Sequence, residues 1–156
     1  MCYSYESSLK AFIIAATSCI LLWLRNKGTD RWSALFIGLF SLTQLFEAGL
    51  WKRLYDTKAN QYLTTSIMLL QWIYPTISAY IAWKYTKSRE FYYITIAASV
   101  ALLYTIHRAI TASEGQIHSI IDTEQNLQWI DNEKQGLVLG DYQLLVGMIS
   151  LAAAAL

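Results

Sequence analysis

The chain has 156 residues, 55% of them hydrophobic and 15% charged, with a net charge of +1. Its charges are bunched between apolar runs of about 20 residues, the length that crosses a bilayer. That distribution excludes a soluble bundle, whose helices would repeat charges along a solvent face. The near-neutral balance gives no basic surface for nucleic acid, so the expected partner is the lipid bilayer.

The first apolar run, AFIIAATSCILLWL, follows Ser4 and Ser8, either of which can cap a helix, and stops at Arg25 and Lys27. It predicts a helix over about 5–25. The strictly apolar part is short for a crossing, which would put Tyr3, Tyr5 and Ser7 in the headgroup layer or inside a bundle. No basic region precedes the run except Lys10, and Arg25 stands where a cleavable signal would need small residues. The run therefore reads as a retained membrane helix. Cys2 and Cys19, the two cysteines, lack metal-ligand spacing, and Cys19 reads as a small packing residue.

The turn NKGTD leads to a second helix over about 32–53, in which Glu47 interrupts the apolar run WSALFIGLFSLTQLFEAGLWK. A third is predicted over about 62–84; Pro75 inside it removes the bond to the Gln71 carbonyl and should kink the helix without ending it. The short connection KYTKSRE makes a fourth helix, about 91–112, its antiparallel neighbour. Ala97, Ala98, Ser99 and Ala101 permit close approach there. From about 113 to 135 acids dominate, and the recurrence of Ile117, Ile120, Ile121, Leu127 and Ile130 predicts a loop holding one amphipathic helix. GLVLGDYQLLVGMISLAAAAL, residues 136–156, predicts a fifth helix, and its closing LAAAAL has the composition of a vector-encoded linker. The expected fold class is all-α: one integral membrane domain over 1–156, a polytopic transmembrane bundle of five spanning helices.

Five crossings would place the termini on opposite sides. Lys and Arg divide six against six between the two sides, so the positive-inside rule does not decide. Net charge favours a cytoplasmic location for the connections with Arg25, Lys27, Arg31, Lys84, Lys87 and Arg89, with the N-terminus outside and the C-terminus cytoplasmic. Trp23, Trp32 and Trp83 would mark one interface, and Trp51, Tyr55 and Tyr62 the other.

Glu47 is the leading candidate for a site. A charged carboxylate within a span loses its solvation, so it must be protonated, meet a cation such as Arg108, or line water. Gln44 lies three residues before it and Trp51 four after, on one helical stripe. Gln71, beside the proline, can hydrogen-bond across the bundle. Tyr104, His107 and Arg108 bring polarity to the end of the fourth helix, on the membrane side where Glu47 lies. A polar cavity of Gln44, Glu47, Gln71, Tyr104, His107 and Arg108 is expected. The assumed topology brings Cys2 and Asp141 to the same side, so Cys2, Glu47, His107 and Asp141 offer donors for zinc or another transition metal, without the close spacing of a specific motif. His118, in the acidic loop, reads as solvent-facing. No phosphate loop, dinucleotide fingerprint or hydrolase elbow is present.

The N-terminal MCYSYESS and the second-helix SLTQLFEAGLW together resemble uncharacterised multi-pass membrane proteins of bacteria and large DNA viruses. Those begin Met-Cys-aromatic-Ser and carry Gln-x-x-Glu-Gly-x-x-Trp in their second helix. The matching positions are Cys2, Tyr3, Ser4, Ser8, Gln44, Glu47 and Trp51; Ala48 replaces the frequent glycine. The resemblance covers roughly the first 85 residues. It implies no activity, but it does imply that the extreme N-terminus belongs with the site at Glu47.

The first functional expectation is proton-linked or small-cation movement, with Glu47 titrating or coordinating, Gln44 and Gln71 orienting, and His107 exchanging protons at the mouth. A homo-oligomer would enlarge the polar route. The alternative is a metal-dependent membrane enzyme acting on a lipid or another apolar substrate, with Glu47 and His107 catalytic. A third is a structural or assembly protein whose polar residues fasten its helices.

Overall fold

The computed structural model describes residues 4–28, 30–121 and 127–131. The described chain forms helix α1 (Tyr5–Arg25), α2 (Asp30–Arg53), α3 (Thr57–Thr86) and α4 (Arg89–Thr111), then strands β1 (Ile117–Ile121) and β2 (Leu127–Asp131).

Local chemistry sets the helix ends. Ser4 caps α1, its Oγ accepting the Ser7 amide at 3.2 Å while the Ser7 hydroxyl accepts the Ser4 amide at 3.1 Å. Asn26 ends α1 in the left-handed region at φ 49°. Arg25 Nε then donates to Asp30 Oδ2 at 2.7 Å, and the Lys27 amide donates to the same oxygen at 2.8 Å. One carboxylate thus fixes the turn between α1 and α2. Asp56 caps α3, Ser88 caps α4, and Lys87 closes α3 at φ 57°.

Each helix packs antiparallel against its sequence neighbour. Between α1 and α2, Lys52 Nζ lies 4.2 Å from the Tyr5 ring centroid, and a Cβ on Gly38 would meet Cys19 Sγ at 3.2 Å. Between α2 and α3, Gly49 faces Leu63 and the Phe36 and Tyr74 rings meet edge to face at 5.1 Å. Between α3 and α4, Trp83 and Tyr92 are 5.3 Å apart. Helix α3 is the inner member, with Ile67, Met68, Trp72, Tyr74, Ala79 and Ala82 among its buried residues. Helix α1 buries Ser8 and leaves Ile14 and Leu24 about 70% exposed, while α4 leaves Ile110 78% exposed. These outward faces suit lipid.

The five-helix, all-α expectation is corrected here. The described residues hold four helices, and three of them, α1, α2 and α4, are long and apolar enough to cross a membrane. That is the makeup of a multi-pass helical membrane protein. Helix α3 falls short because it interleaves Asn60, Gln61, Thr64, Gln71 and Ser78 with its apolar residues, and buries Asn60, Thr64 and Ser78 against its neighbours. It runs as helix through Pro75. The expected fifth helix, 136–156, with its LAAAAL ending, lies outside the described residues.

The expected amphipathic helix within 113–135 is replaced by an antiparallel hairpin that pairs Ile117 with Asp131, Ser119 with Trp129 and Ile121 with Leu127. Clustered β-branched isoleucines favour the strand. The alternation was masked because an inward position is polar, Ser119. Leu127 and Trp129 of β2 pack with Leu50 of α2 and Ile67 of α3 in one buried cluster, which Trp51 and Leu54 flank.

Candidate functional site

Glu47 is 2% exposed. It projects from α2 six residues before Arg53, about 9 Å from that helix end at 1.5 Å per residue. Thr43, one turn earlier, and Leu50, one turn later, are also buried. Two registers fix what lies level with Glu47. The Tyr5–Lys52 and Cys19–Gly38 contacts put Ser8 of α1 level with Gly49. The Gly49–Leu63 contact puts Glu47 level with residue 65 of α3, beside buried Thr64. Ser8 is 0% exposed, so this level of the helix pair is closed on the α1 side as well.

The hairpin closes the end. Trp129 is 4% exposed and shares its cluster with Leu50 and Trp51, three and four residues beyond Glu47. Among the described residues, Ser8 Oγ, Trp51 Nε1 and Trp129 Nε1 are buried without a hydrogen-bond partner.

A second polar group, fully paired, docks the hairpin. Asn60 Nδ2 donates to the Leu54 carbonyl at 2.7 Å and to the Ser119 carbonyl at 2.9 Å. Its Oδ1 accepts the Ser119 amide at 2.7 Å and the Thr64 hydroxyl at 3.0 Å. The Thr64 and Ser119 hydroxyls are 2.7 Å apart. Gln61 adds an outer clasp, donating to the Ser113 carbonyl at 3.0 Å and accepting the Gly115 amide at 2.6 Å. Between β1 and the turn from α2 to α3 is a cleft of about 380 Å³, lined by Leu54, Tyr55, Thr57, Asn60 and His118 among others. His118 is partly buried, its Nδ1 enclosed, and does not lie in open solvent.

The expected site residues are distributed as follows. Gln44 is half-buried one turn before Glu47. Gln71 is half-buried on α3 but six residues beyond the level of Glu47, about 9 Å along the axis. Tyr104 and His107 are exposed and Arg108 is half-buried on α4, which packs on α3. His107 falls in the outward stripe of Val100, Leu103 and Ile110, so the structure does not place it in a pocket with Glu47. Cys2 and Asp141 lie outside the described residues. Among the described residues no three of His, Cys, Asp and Glu converge in a group able to hold a metal ion.

Sequence reasoning missed Asn60, Thr64, Ser119 and Trp129. The usable signal was the four-residue spacing of Asn60 and Thr64, which puts both on one face once α3 is extended to Thr57. No family model, no curated protein and no solved structure matches this chain.

Proposed function

We propose that this multi-pass membrane protein moves protons or small cations through a polar site centred on Glu47. The observation that carries the reading is a carboxylate 2% exposed inside a helix apolar enough to cross a membrane. Ionisable groups at such positions are costly, roughly 2.5–3.5 kcal/mol at a helix centre on insertion scales, and commonly mark proton or ion pathways. Thr43 and Gln44 on α2 and Ser8 on α1 supply polar company at that end. The resemblance on Cys2, Ser8, Gln44, Glu47 and Trp51 supports assigning the extreme N-terminus to the same site. Charge balance favours the Glu47 end outside and the turns at Lys27 and Arg89 in the cytoplasm.

The deciding experiment is ion flux in liposomes carrying wild-type protein or Glu47→Gln at equal insertion. Flux present in the wild type and lost in the variant supports the role of Glu47; equal flux in both removes it.

A further inference from the structure

We infer that the end of the bundle formed by the α1–α2 and α3–α4 turns docks on anionic lipid headgroups, taking monoanionic phospholipids of the phosphatidylglycerol type in preference to zwitterionic ones. The inference needs a membrane protein and nothing of transport at Glu47. Its first support is an asymmetry of charge. The antiparallel order brings Arg25, Lys27, Arg31, Lys84, Lys87 and Arg89 to this end, all exposed, with Asp30 and Glu90 as the acids among the described residues there. The whole chain carries a net charge of only +1, so the excess is local. The Phe36–Tyr74 contact puts Arg31 level with Ala79, and both Lys27 and Lys84 lie further toward the same end, Lys84 by about 8 Å at 1.5 Å per residue.

The second support is where the two acids go. Asp30 is buried and accepts from Arg25 Nε at 2.7 Å and from the Lys27 amide at 2.8 Å, while Glu90 accepts the Ser88 hydroxyl beside Arg89. That leaves the side chains of Lys27, Arg31, Lys84 and Lys87 without an acidic partner among the described residues. At the opposite end Arg53 and Lys58 meet Asp56 and Glu114 at 3.7 and 3.9 Å. The neighbours of two of the unpaired cations are aromatic. Arg31 Cζ stands 5.5 Å from the Trp23 ring centroid, and Lys84 Nζ stands 5.5 Å from that of Trp83 and 5.6 Å from that of Tyr80. A ring face attracts the charge but is a poor acceptor, so the guanidinium and ammonium N–H groups remain available to an oxyanion.

The surface beside these charges decides which oxyanion. Leu21 and Leu24 of α1, just before Arg25, are exposed, as are Tyr85, Tyr92 and Tyr93 around the α3–α4 turn. A soluble phosphate would leave those apolar groups in water. A phospholipid covers them with its acyl chains while its phosphodiester oxygens reach the basic groups, at the depth where Trp and Tyr collect. Headgroup charge then discriminates between lipids: a zwitterionic headgroup brings an ammonium of its own, which the unpaired cations repel, and a monoanionic one does not.

The test reconstitutes the full chain in phosphatidylcholine vesicles and follows tryptophan fluorescence as brominated phosphatidylglycerol or brominated phosphatidylcholine is added in graded fractions. Trp23 and Trp83, beside Arg31 and Lys84, report on this end. Brominated phosphatidylglycerol is expected to quench at about fivefold lower mole fraction, the contribution of roughly one basic residue at an anionic surface, and molar salt is expected to remove the preference. Combined Lys27→Gln, Arg31→Gln, Lys84→Gln and Lys87→Gln should bring the two lipids within about twofold of each other. Lys10→Gln with Lys52→Gln, at the opposite end, should keep the preference. Equal quenching by both lipids in wild type overturns the inference, as does a preference that survives the combined substitutions or is lost equally in the opposite-end control. Loss of the preference on adding inorganic phosphate at constant ionic strength overturns the lipid assignment in favour of a soluble anion. The comparison of lipids is read from wild type alone, so it stands whether or not a variant folds.

Discussion

Asn60 grips the backbone of Ser119 with both ends of its amide, donating to the carbonyl at 2.9 Å and accepting the N–H at 2.7 Å. The pair imitates the exchange between two strands, except that one partner is a helical side chain. All of it is buried, and the net value of such bonds is small beside the cost of leaving them unmade. Asn60→Ala strands the Ser119 amide and carbonyl and the Leu54 carbonyl, and is expected to cost about 2–4 kcal/mol. Ser119→Ala removes the hydroxyl alone and should cost about 1 kcal/mol. Thermal unfolding in detergent, with hydrogen exchange at residues 117–121, measures both; equal effects would contradict the backbone grip.

The outer clasp depends on a glycine. Gly115 has φ +79°, donates its amide to Gln61, and an added Cβ would meet Thr57 Cγ2 at 3.3 Å. Gly115→Ala should destabilise hairpin docking by about 1–2 kcal/mol, the usual cost of left-handed backbone for a residue with a side chain. Faster exchange in the hairpin amides with α1 and α2 unaffected is the expected signature. A uniform change across the chain would count against a local origin.

These two predictions concern a part of the molecule that was poorly legible in the sequence, and the reason is physical. Long apolar runs announce helices because every span must satisfy its own backbone, so α1, α2 and α4 could be read directly. The hairpin hides its register because Ser119 faces inward with Asn60 and Thr64, and hydrophobic alternation fails where a buried position is polar. Asn60 falls between the second and third helices expected over about 32–53 and 62–84, whereas α3 begins at Thr57. Helix α3 was read as a span like the others, yet its polar residues are sheltered by neighbours and lower its hydropathy. Glu47 was legible as an anomaly in an apolar run, whereas Trp129, from a strand far along the chain, could not be matched to it without the fold.

The antiparallel order of α1 to α4 makes a topological prediction. In a background with Cys2 and Cys19 replaced by serine, Lys27→Cys and Arg89→Cys occupy one end of the helices and Tyr55→Cys the other, all three at exposed positions. A membrane-impermeant thiol reagent added to intact cells should label Tyr55→Cys and spare the other two, in the orientation proposed above from the net charge of the connections. Labelling of Lys27→Cys and Arg89→Cys together, with Tyr55→Cys protected, would invert the orientation. Labelling of only one of that pair would contradict the antiparallel arrangement itself.

Glu47 separates a transport role from a fastening role by its effect on stability. If the carboxylate serves mainly to tie helices together, Glu47→Gln weakens a charge-assisted bond and Glu47→Leu removes all polar pairing, so stability falls in that order. If it is kept for its charge change, Glu47→Gln abolishes flux while its effect on stability stays small. Glu47→Leu leaves the groups that Glu47 meets unmatched, and removing one member of a buried pair is destabilising. The expected outcome is a lowered thermal midpoint in Glu47→Leu, a stability within about 1 kcal/mol of wild type in Glu47→Gln, and no flux in either. Unfolding in detergent and flux in liposomes, measured on the same preparations, distinguish the two roles. A graded loss of stability with flux retained in Glu47→Gln would assign the residue to assembly.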